Sequence, residues 1–128
     1  MNTLKRFPYL LLIGFVLPVM SRAQKDTTSQ IRQVEIVNFK PGSTPDDERM
    51  MDSSMWKVAK HLPIVKAFEW GTGTSSKNKN KVTHVYVTTF NSQGDLVTYN
   101  ATPEHQALVN GKGTPVESVT TVVYPVKQ

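Results

Sequence analysis

Cysteine is absent from all 128 residues of the chain. Its absence excludes disulfide bonds, thiolate metal sites, a cysteine nucleophile and a lipid anchor on an N-terminal cysteine. The sequence also lacks a Gly-x-Ser-x-Gly elbow and a glycine-rich phosphate loop ahead of a helix, which argues against a serine triad and a nucleotide site. We therefore expect neither a cofactor nor a bound metal.

Long apolar runs are also lacking beyond one N-terminal stretch, residues 7–20. Its 14 residues fall short of the roughly 20 that a membrane-spanning helix needs. Lys5 and Arg6 precede it and Ser21-Arg22-Ala23 follows it, which is the three-part layout of a secretory signal. We expect residues 1–23 to be removed, residues 24–30 to form a flexible leader, and the mature protein to be periplasmic or secreted. An uncleaved membrane anchor is the alternative.

Excess positive charge largely belongs to this signal. The whole chain has a formal net charge of +5, but three cations leave with the signal, so the mature charge is about +2. That excess is too small to predict a nucleic-acid partner, and after cleavage we expect no membrane partner. The alternating Lys77, Lys79 and Lys81 could contact an anion, although a solvated loop is the more usual fate of such a short run.

Four segments have the alternation or the β-branched content of strands: 31–40, 64–71, 82–90 and 116–126. The stretch 72–81 contains no apolar residue and predicts a loop. Because side chains alternate along a strand, Gln33, Glu35, Val37 and Phe39 share one face of the first strand. His84, Tyr86, Thr88 and Phe90 likewise share one face of the third.

Helix starts are marked by capping signals. Thr44 and Pro45, followed by three acidic residues, begin a helix whose apolar stripe is formed by Met51, Met55, Val58 and Leu62. His61 lies in its last turn, where a cation suits the helix dipole, and we expect no catalytic role for it. Ser92 with Asp95 begins a second helical region, and Thr102-Pro103-Glu104 restarts it.

The element order β-α-β-β-α-β predicts an α+β domain over residues 31–126, with a ferredoxin-like, four-stranded antiparallel sheet and both helices on one face. The strands carry apolar or aromatic residues on both faces, for example Val34 and Ile36 opposite Val37 and Phe39. Soluble monomers rarely expose so large an apolar surface. We therefore expect the second face to be buried against another copy in a homodimer.

Four pieces of the chain resemble the stress-responsive dimeric A/B barrel (Dabb) family over residues 31–125: IRQVEIVNFKPG, FEWG, THVYVTTFNS and YNATPEHQALV. The resemblance implies two ferredoxin-like subunits whose sheets close into one dimeric α/β barrel. It also implies a cavity between the sheet and the second helical region. The chain is similar to olivetolic acid cyclase, a family member that closes a polyketide chain without a cofactor.

That similarity implies His105 and Tyr99 as an acid–base pair and His84 as a pocket-lining residue. Two positions depart from the pattern, since Gln33 stands where the family commonly has a histidine and Glu35 stands at a position that is apolar in the cyclase.

The residues also indicate a site independently of the family resemblance. Six side chains would line a partly polar cavity if their strand faces are turned away from the first helix: Gln33, Glu35, Val37, His84, Tyr86 and Thr88. His105 lies in the first turn of a helix, where the dipole favours the neutral imidazole that a general base needs; a local hydrogen bond is the alternative.

Glu35 needs a partner on an inward face, and the candidates are His84, Arg32, Lys40 or a ligand. A metal set of Glu35, His84 and His105 lacks metal-type spacing.

Two functions follow from these residues. The first, which we favour, is an exported barrel that binds a small, partly apolar molecule without turnover. The alternative is a cofactor-free lyase or cyclase in which His105 is the base, Tyr99 orients it, and Glu35 or His84 assists. A structural dimer with a filled interior is a third, weaker hypothesis, because Glu35 would be costly in a filled interior.

Overall fold

The computed structural model describes residues 29–74, 76 and 81–127. The predicted signal segment, most of the leader, and Lys77 and Lys79 lie outside the described residues. Within the described part of the chain, no helix is both long enough and apolar enough to cross a membrane.

Seven elements follow one another along the chain: β1 (Ile31–Phe39), α1 (Pro45–His61), β2 (Val65–Thr74), β3 (Val82–Phe90), α2 (Gln93–Ala101), α3 (Pro103–Asn110) and β4 (Val116–Pro125). The strands form one sheet in the order β2-β3-β1-β4, and every pairing is antiparallel. This arrangement confirms the predicted α+β class and the ferredoxin-like topology.

One element boundary differs from the prediction by more than one residue, and one helix start is confirmed. The loop predicted over 72–81 is wrong at its start, because β2 continues to Thr74, with Thr72 opposite His84 in β3. An edge strand needs only backbone pairing, so its lack of apolar side chains concealed it. The helix start predicted at Thr102-Pro103-Glu104 is confirmed: Thr102 ends α2 and caps α3, and Pro103 has no backbone N–H with which to continue α2.

Helix α1 begins where its capping signals indicate. The Thr44 hydroxyl accepts from the backbone N–H of Asp47, and the Asp47 carboxylate accepts from the backbone N–H of Thr44, which completes a capping box. Met51 and Met55 of the predicted stripe are buried in the core. The stripe thus fixes which side of α1 packs on the sheet.

The core lies between the helices and one face of the sheet, in two apolar clusters, the first being Val37, Phe39, Met51, Met55, Tyr86 and Val116 and the second Phe90, Leu96 and Tyr99. Because these clusters include Val37 and Tyr86, the face that carries Gln33, Glu35 and His84 is turned toward the helices. The condition under which these residues would line a cavity, a face turned away from α1, is therefore not met. Alternation determines which side chains share a face, but not which face the helices cover.

The opposite face of the sheet is apolar at its centre. Val34 of β1 lies opposite Val87 of β3 and Val122 of β4, and Ile36 lies opposite Val85. Val122 is exposed, and the other four are only partly buried. Helices α1, α2 and α3 all lie on the other side, so no described helix covers this face.

Candidate functional site

His105 enters the core from the first turn of α3. Thr102 caps this helix and its hydroxyl accepts from the backbone N–H of His105 at 3.4 Å. Pro103 occupies the first turn, as the sequence predicted. The His105 side chain is directed inward and only 3% of the residue is exposed.

Glu35 of β1 is the partner of this imidazole. Nε2 of His105 lies 3.2 Å from Oε1 and 3.4 Å from Oε2 of Glu35, and Glu35 is as deeply buried as the histidine. The partners that we considered for Glu35, namely His84, Arg32 and Lys40, are therefore wrong. The two residues are 70 positions apart, so local sequence spacing gave no signal for the pair.

Tyr99 of α2 packs on the other side of His105. The two ring centroids are 4.6 Å apart with an interplanar angle of 50°. Burial, and after it the negative charge of Glu35, raises the pKa of Tyr99 far above its usual value of 10.0. The phenol is therefore protonated at neutral pH and can donate a hydrogen bond.

Three buried polar atoms of the described chain have no hydrogen-bond partner: Nδ1 of His105, the hydroxyl of Tyr99 and the hydroxyl of Thr88. Thr88 lies opposite Gln33 in the sheet and close enough to Tyr99 to influence its pKa. Unpaired buried polar groups are rare in native proteins, and each requires an explanation. Their location at one place indicates a site rather than a packing defect.

A cleft of about 280 Å³ opens beside His105, whereas Tyr99 and Thr88 lie behind it and do not line the cleft. It lies between the sheet and α2 and α3, where the family resemblance implied a cavity. Polar and apolar atoms share its surface about equally, and two of its nine lining residues are apolar: Gln33, Glu35, Asn100, His105, Gln106, Val109, Asn110, Val119 and Thr121.

Gln33 and Asn100 form a reciprocal amide pair in this lining. Nε2 of Gln33 donates to Oδ1 of Asn100 at 3.0 Å, and Nδ2 of Asn100 donates to Oε1 of Gln33 at 2.8 Å. Gln33 is almost fully buried. The sequence singled out Gln33 but missed Asn100, because an amide in a short helix gives no distinctive pattern.

His84 belongs to a second buried cluster beneath α1. Its Nδ1 lies 2.7 Å from Oδ1 of Asp52, which also accepts from the hydroxyl of Tyr86 at 2.6 Å. Its Nε2 lies 3.2 Å from Oε2 of Glu48. Burial and the Asp52 hydrogen bond raise the pKa of Tyr86. The sequence analysis did not identify Asp52, although its position next to Met51, on the apolar side of α1, indicates a buried carboxylate.

Two of the six predicted lining residues, Gln33 and Glu35, therefore line the cleft. Val37 and Tyr86 lie in the apolar core, and His84 lies in the polar cluster with Asp52 and Glu48 beneath α1. Among residues 29–74, 76 and 81–127, no three His, Cys, Asp or Glu side chains are arranged to hold a metal ion.

The fold and this site define a class of protein: a ferredoxin-like domain with a buried histidine–carboxylate pair beside a polar cleft. The profile of the stress-responsive A/B barrel domain (Dabb) matches residues 31–125. The chain belongs to that family.

A related sequence agrees with this assignment, and two solved structures share the fold. The stress-response A/B barrel domain-containing protein HS1 of Arabidopsis thaliana is 26% identical over 82 residues, which are 63% of this chain and 75% of that protein. The hydroxynitrile lyase of Passiflora edulis superimposes with a TM-score of 0.66 at 16% identity, covering 79% of this chain and 96% of the lyase. A dimeric ferredoxin-like protein of Thermobifida fusca superimposes with a TM-score of 0.63 at 17% identity, covering 77% and 92% of the two chains.

Proposed function

We propose that this protein is a cofactor-independent acid–base enzyme, of the lyase or cyclase type, that acts on a small molecule in the cleft beside His105. The observation that carries the proposal is the Glu35–His105 pair, which leaves Nδ1 of the imidazole unpartnered next to a protonated Tyr99. The likeness to a hydroxynitrile lyase supports the proposal at the level of the fold alone.

The proposed chemistry starts with a neutral His105. If Nε2–H donates to Glu35, the lone pair of Nδ1 accepts a proton from a substrate carbon or hydroxyl, and the electrons of the broken bond stay on the substrate. The adjacent carboxylate stabilises the imidazolium as it forms, and the Tyr99 hydroxyl donates to the oxygen that gains negative charge. Return of the proton from Nδ1 to the product restores the enzyme.

The test is turnover of a panel of hydroxynitriles and β-keto thioesters by the domain starting at Gln24. We expect His105→Ala to lower kcat at least about 100-fold, the usual contribution of a general base, and Tyr99→Phe to lower it less. His61→Ala is the matched control, because His61 is exposed at the end of α1. Unchanged turnover in His105→Ala would rule out the assigned base.

Binding without turnover is the second candidate function. It is favoured by the unpartnered Nδ1 of His105, the one of the three atoms whose residue lines the cleft, since a retained ligand could satisfy it. Equilibrium binding of a cleft ligand, with no conversion of it by the wild type over hours, would select this function over catalysis.

We also propose that two copies associate through the sheet face that bears Val34, Ile36, Val85 and Val87. Burying that face removes an apolar surface that the described helices leave uncovered, and the likeness to a dimeric ferredoxin-like protein supports a dimer. An isologous contact would place Val34 and its neighbours against the same residues of the second copy.

Export remains a proposal that rests on the sequence. The basic start, the apolar run over residues 7–20 and Ala23 support cleavage before Gln24. Expression of the full chain in a bacterium, followed by intact mass measurement of the extracytoplasmic fraction, tests it. A mass that begins at Gln24 is expected, and a full-length chain that remains in the membrane fraction would support the anchor instead.

A further inference from the structure

Four residues with carboxamide side chains are linked by hydrogen bonds along the wall of the cleft, two pairs through their amides and the pairs to each other through a backbone carbonyl. We call this set the amide chain: Gln33, Asn100, Gln106 and Asn110. Beyond the reciprocal Gln33–Asn100 pair, Nε2 of Gln106 donates to the backbone carbonyl of Asn100 at 2.6 Å. Nδ2 of Asn110 donates to Oε1 of Gln106 at 3.0 Å. All four residues line the cleft.

The internal bonds of the amide chain use only part of its hydrogen-bonding capacity. Each carboxamide has two N–H donors and an oxygen with two acceptor sites, and Gln106 and Asn110 are exposed at the outer end. The wall therefore offers donors and acceptors side by side. Hydroxyl groups, which both donate and accept, match such a surface better than groups that only accept or only donate.

Charge and size narrow the choice of ligand. The lining described for this cleft contains neither lysine nor arginine, and its carboxylate, Glu35, disfavours an anion. Two apolar side chains, Val109 and Val119, stand in the lining described for the cleft, and no aromatic residue other than His105 does. A volume of about 280 Å³ lies just below the roughly 300–1,000 Å³ of pockets that hold drug-sized molecules.

We propose that the cleft selects a neutral, polyhydroxylated molecule of monosaccharide size, with the amide chain binding its hydroxyl groups. The reaction of this molecule at His105 rests on the proposed acid–base function, whereas its binding to the amide chain does not. A carbonyl group next to a hydroxyl-bearing carbon would give His105 a proton of suitable acidity. Recognition of this kind differs from that of the partly apolar ligand that the sequence suggested.

Saturation-transfer NMR on the domain starting at Gln24 tests the proposal with three matched probes: D-glucose, D-glucuronate and cyclohexanol. Glucuronate adds one carboxylate to glucose, and cyclohexanol keeps a six-membered ring with a single hydroxyl. We expect glucose to bind with a Kd on the order of 1 mM, a weak affinity suited to a few hydrogen bonds. The other two probes should bind at least about tenfold more weakly.

Gln106→Leu should weaken glucose binding roughly fivefold to tenfold, because it removes hydrogen bonds to the ligand. Gln93→Leu is the matched control, since Gln93 is likewise an exposed glutamine of a helix, and it should leave the affinity unchanged. Asn110→Leu provides a second variant of the amide chain.

Equal or tighter binding of glucuronate or cyclohexanol would overturn the proposal, as would absence of glucose binding at about 20-fold above the expected Kd. Glucose binding that persists in His105→Ala supports it whether or not the enzyme turns over. Turnover of an apolar hydroxynitrile that is lost in His105→Ala but unaffected by Gln106→Leu would overturn this inference and leave the acid–base function in place.

Discussion

The hydroxyl of Tyr86 donates to Oδ1 of Asp52 across 2.6 Å and thereby joins β3 to α1 inside the core. The other two helices are joined to the sheet in the same manner, α2 by Asn100 with Gln33 and α3 by His105 with Glu35. Apolar packing is tolerant of small sliding movements, whereas a buried polar pair is satisfied in one position only. These three pairs therefore fix the position of each helix over the strands.

Replacing Asp52 should be strongly destabilising. Asp52→Ala leaves the buried Tyr86 hydroxyl without its acceptor and removes one of the two carboxylates beside His84, so we expect the free energy of unfolding to fall by about 3 kcal/mol. Urea unfolding followed by circular dichroism measures the change. Asp46→Ala is the control, since Asp46 lies on the exposed first turn and pairs with Arg49 at the surface; a similar loss in both variants would contradict this interpretation.

The Gln33–Asn100 pair should show energetic coupling. Gln33→Leu and Asn100→Leu each leave a buried or half-buried amide unpaired, whereas the double variant removes both. We expect the double variant to be more stable than the sum of the two single losses predicts, by about 1–2 kcal/mol. A double-mutant cycle in urea gives this coupling, and strictly additive losses would show that the pair contributes no specific interaction.

Stability should decline in alkaline solution because of two tyrosines. The folded protein raises the pKa of Tyr86 and Tyr99 above the usual 10.0, so below pH 10 both are protonated in either state and the full stabilisation is present. Above pH 10 the unfolded chain releases these protons first, and the free energy of unfolding falls as the pH rises.

Urea unfolding between pH 8 and about 11 measures this decline. Tyr99→Phe should lower its slope, and so should Tyr86→Phe. An identical slope in the wild type and both variants would assign the alkaline loss to other groups.

A charge introduced by substitution on the uncovered sheet face should dissociate the proposed dimer. Val34→Lys places a cation at the centre of that face, opposite Val87, where an isologous contact brings two copies of the new charge together. We expect light scattering to give twice the chain mass for the wild type and a monomer for the variant.

Val97→Lys, on the exposed side of α2, is the control and should remain dimeric. A wild type that is monomeric at micromolar concentration would refute the dimer.

Short-range features of the fold were accessible from the sequence. Alternation identified β3 with its bounds of Val82 and Phe90, and the cap and proline at Thr44–Pro45 located the start of α1. The failure also has a local cause. Residues 72–74 extend β2 through backbone pairing alone, whereas the break between α2 and α3 was predicted from the cap and proline at Thr102–Pro103.

The candidate site was accessible only in part. His105 and Tyr99 were identified through the family motif and a capping argument, and the structure places their rings in contact. The partner of Glu35 was not identified, because Arg32, Lys40 and His84 were all compatible with its charge. Asn100 and Gln106 were not identified, because an amide side chain can be assigned to a site only from its hydrogen bonds, which the structure shows.

The sequence and the tertiary structure therefore determine different features of this protein. The sequence alone determined the order of the elements, the two faces of each strand and the stripe of α1, because backbone periodicity and helix caps act over a few residues. Only the tertiary structure decided which sheet face meets the helices and which groups pair within it. Both features depend on contacts between residues as far as 70 positions apart. A buried polar group must pair with a group that lies close to it in the folded chain, and the local sequence does not identify that group.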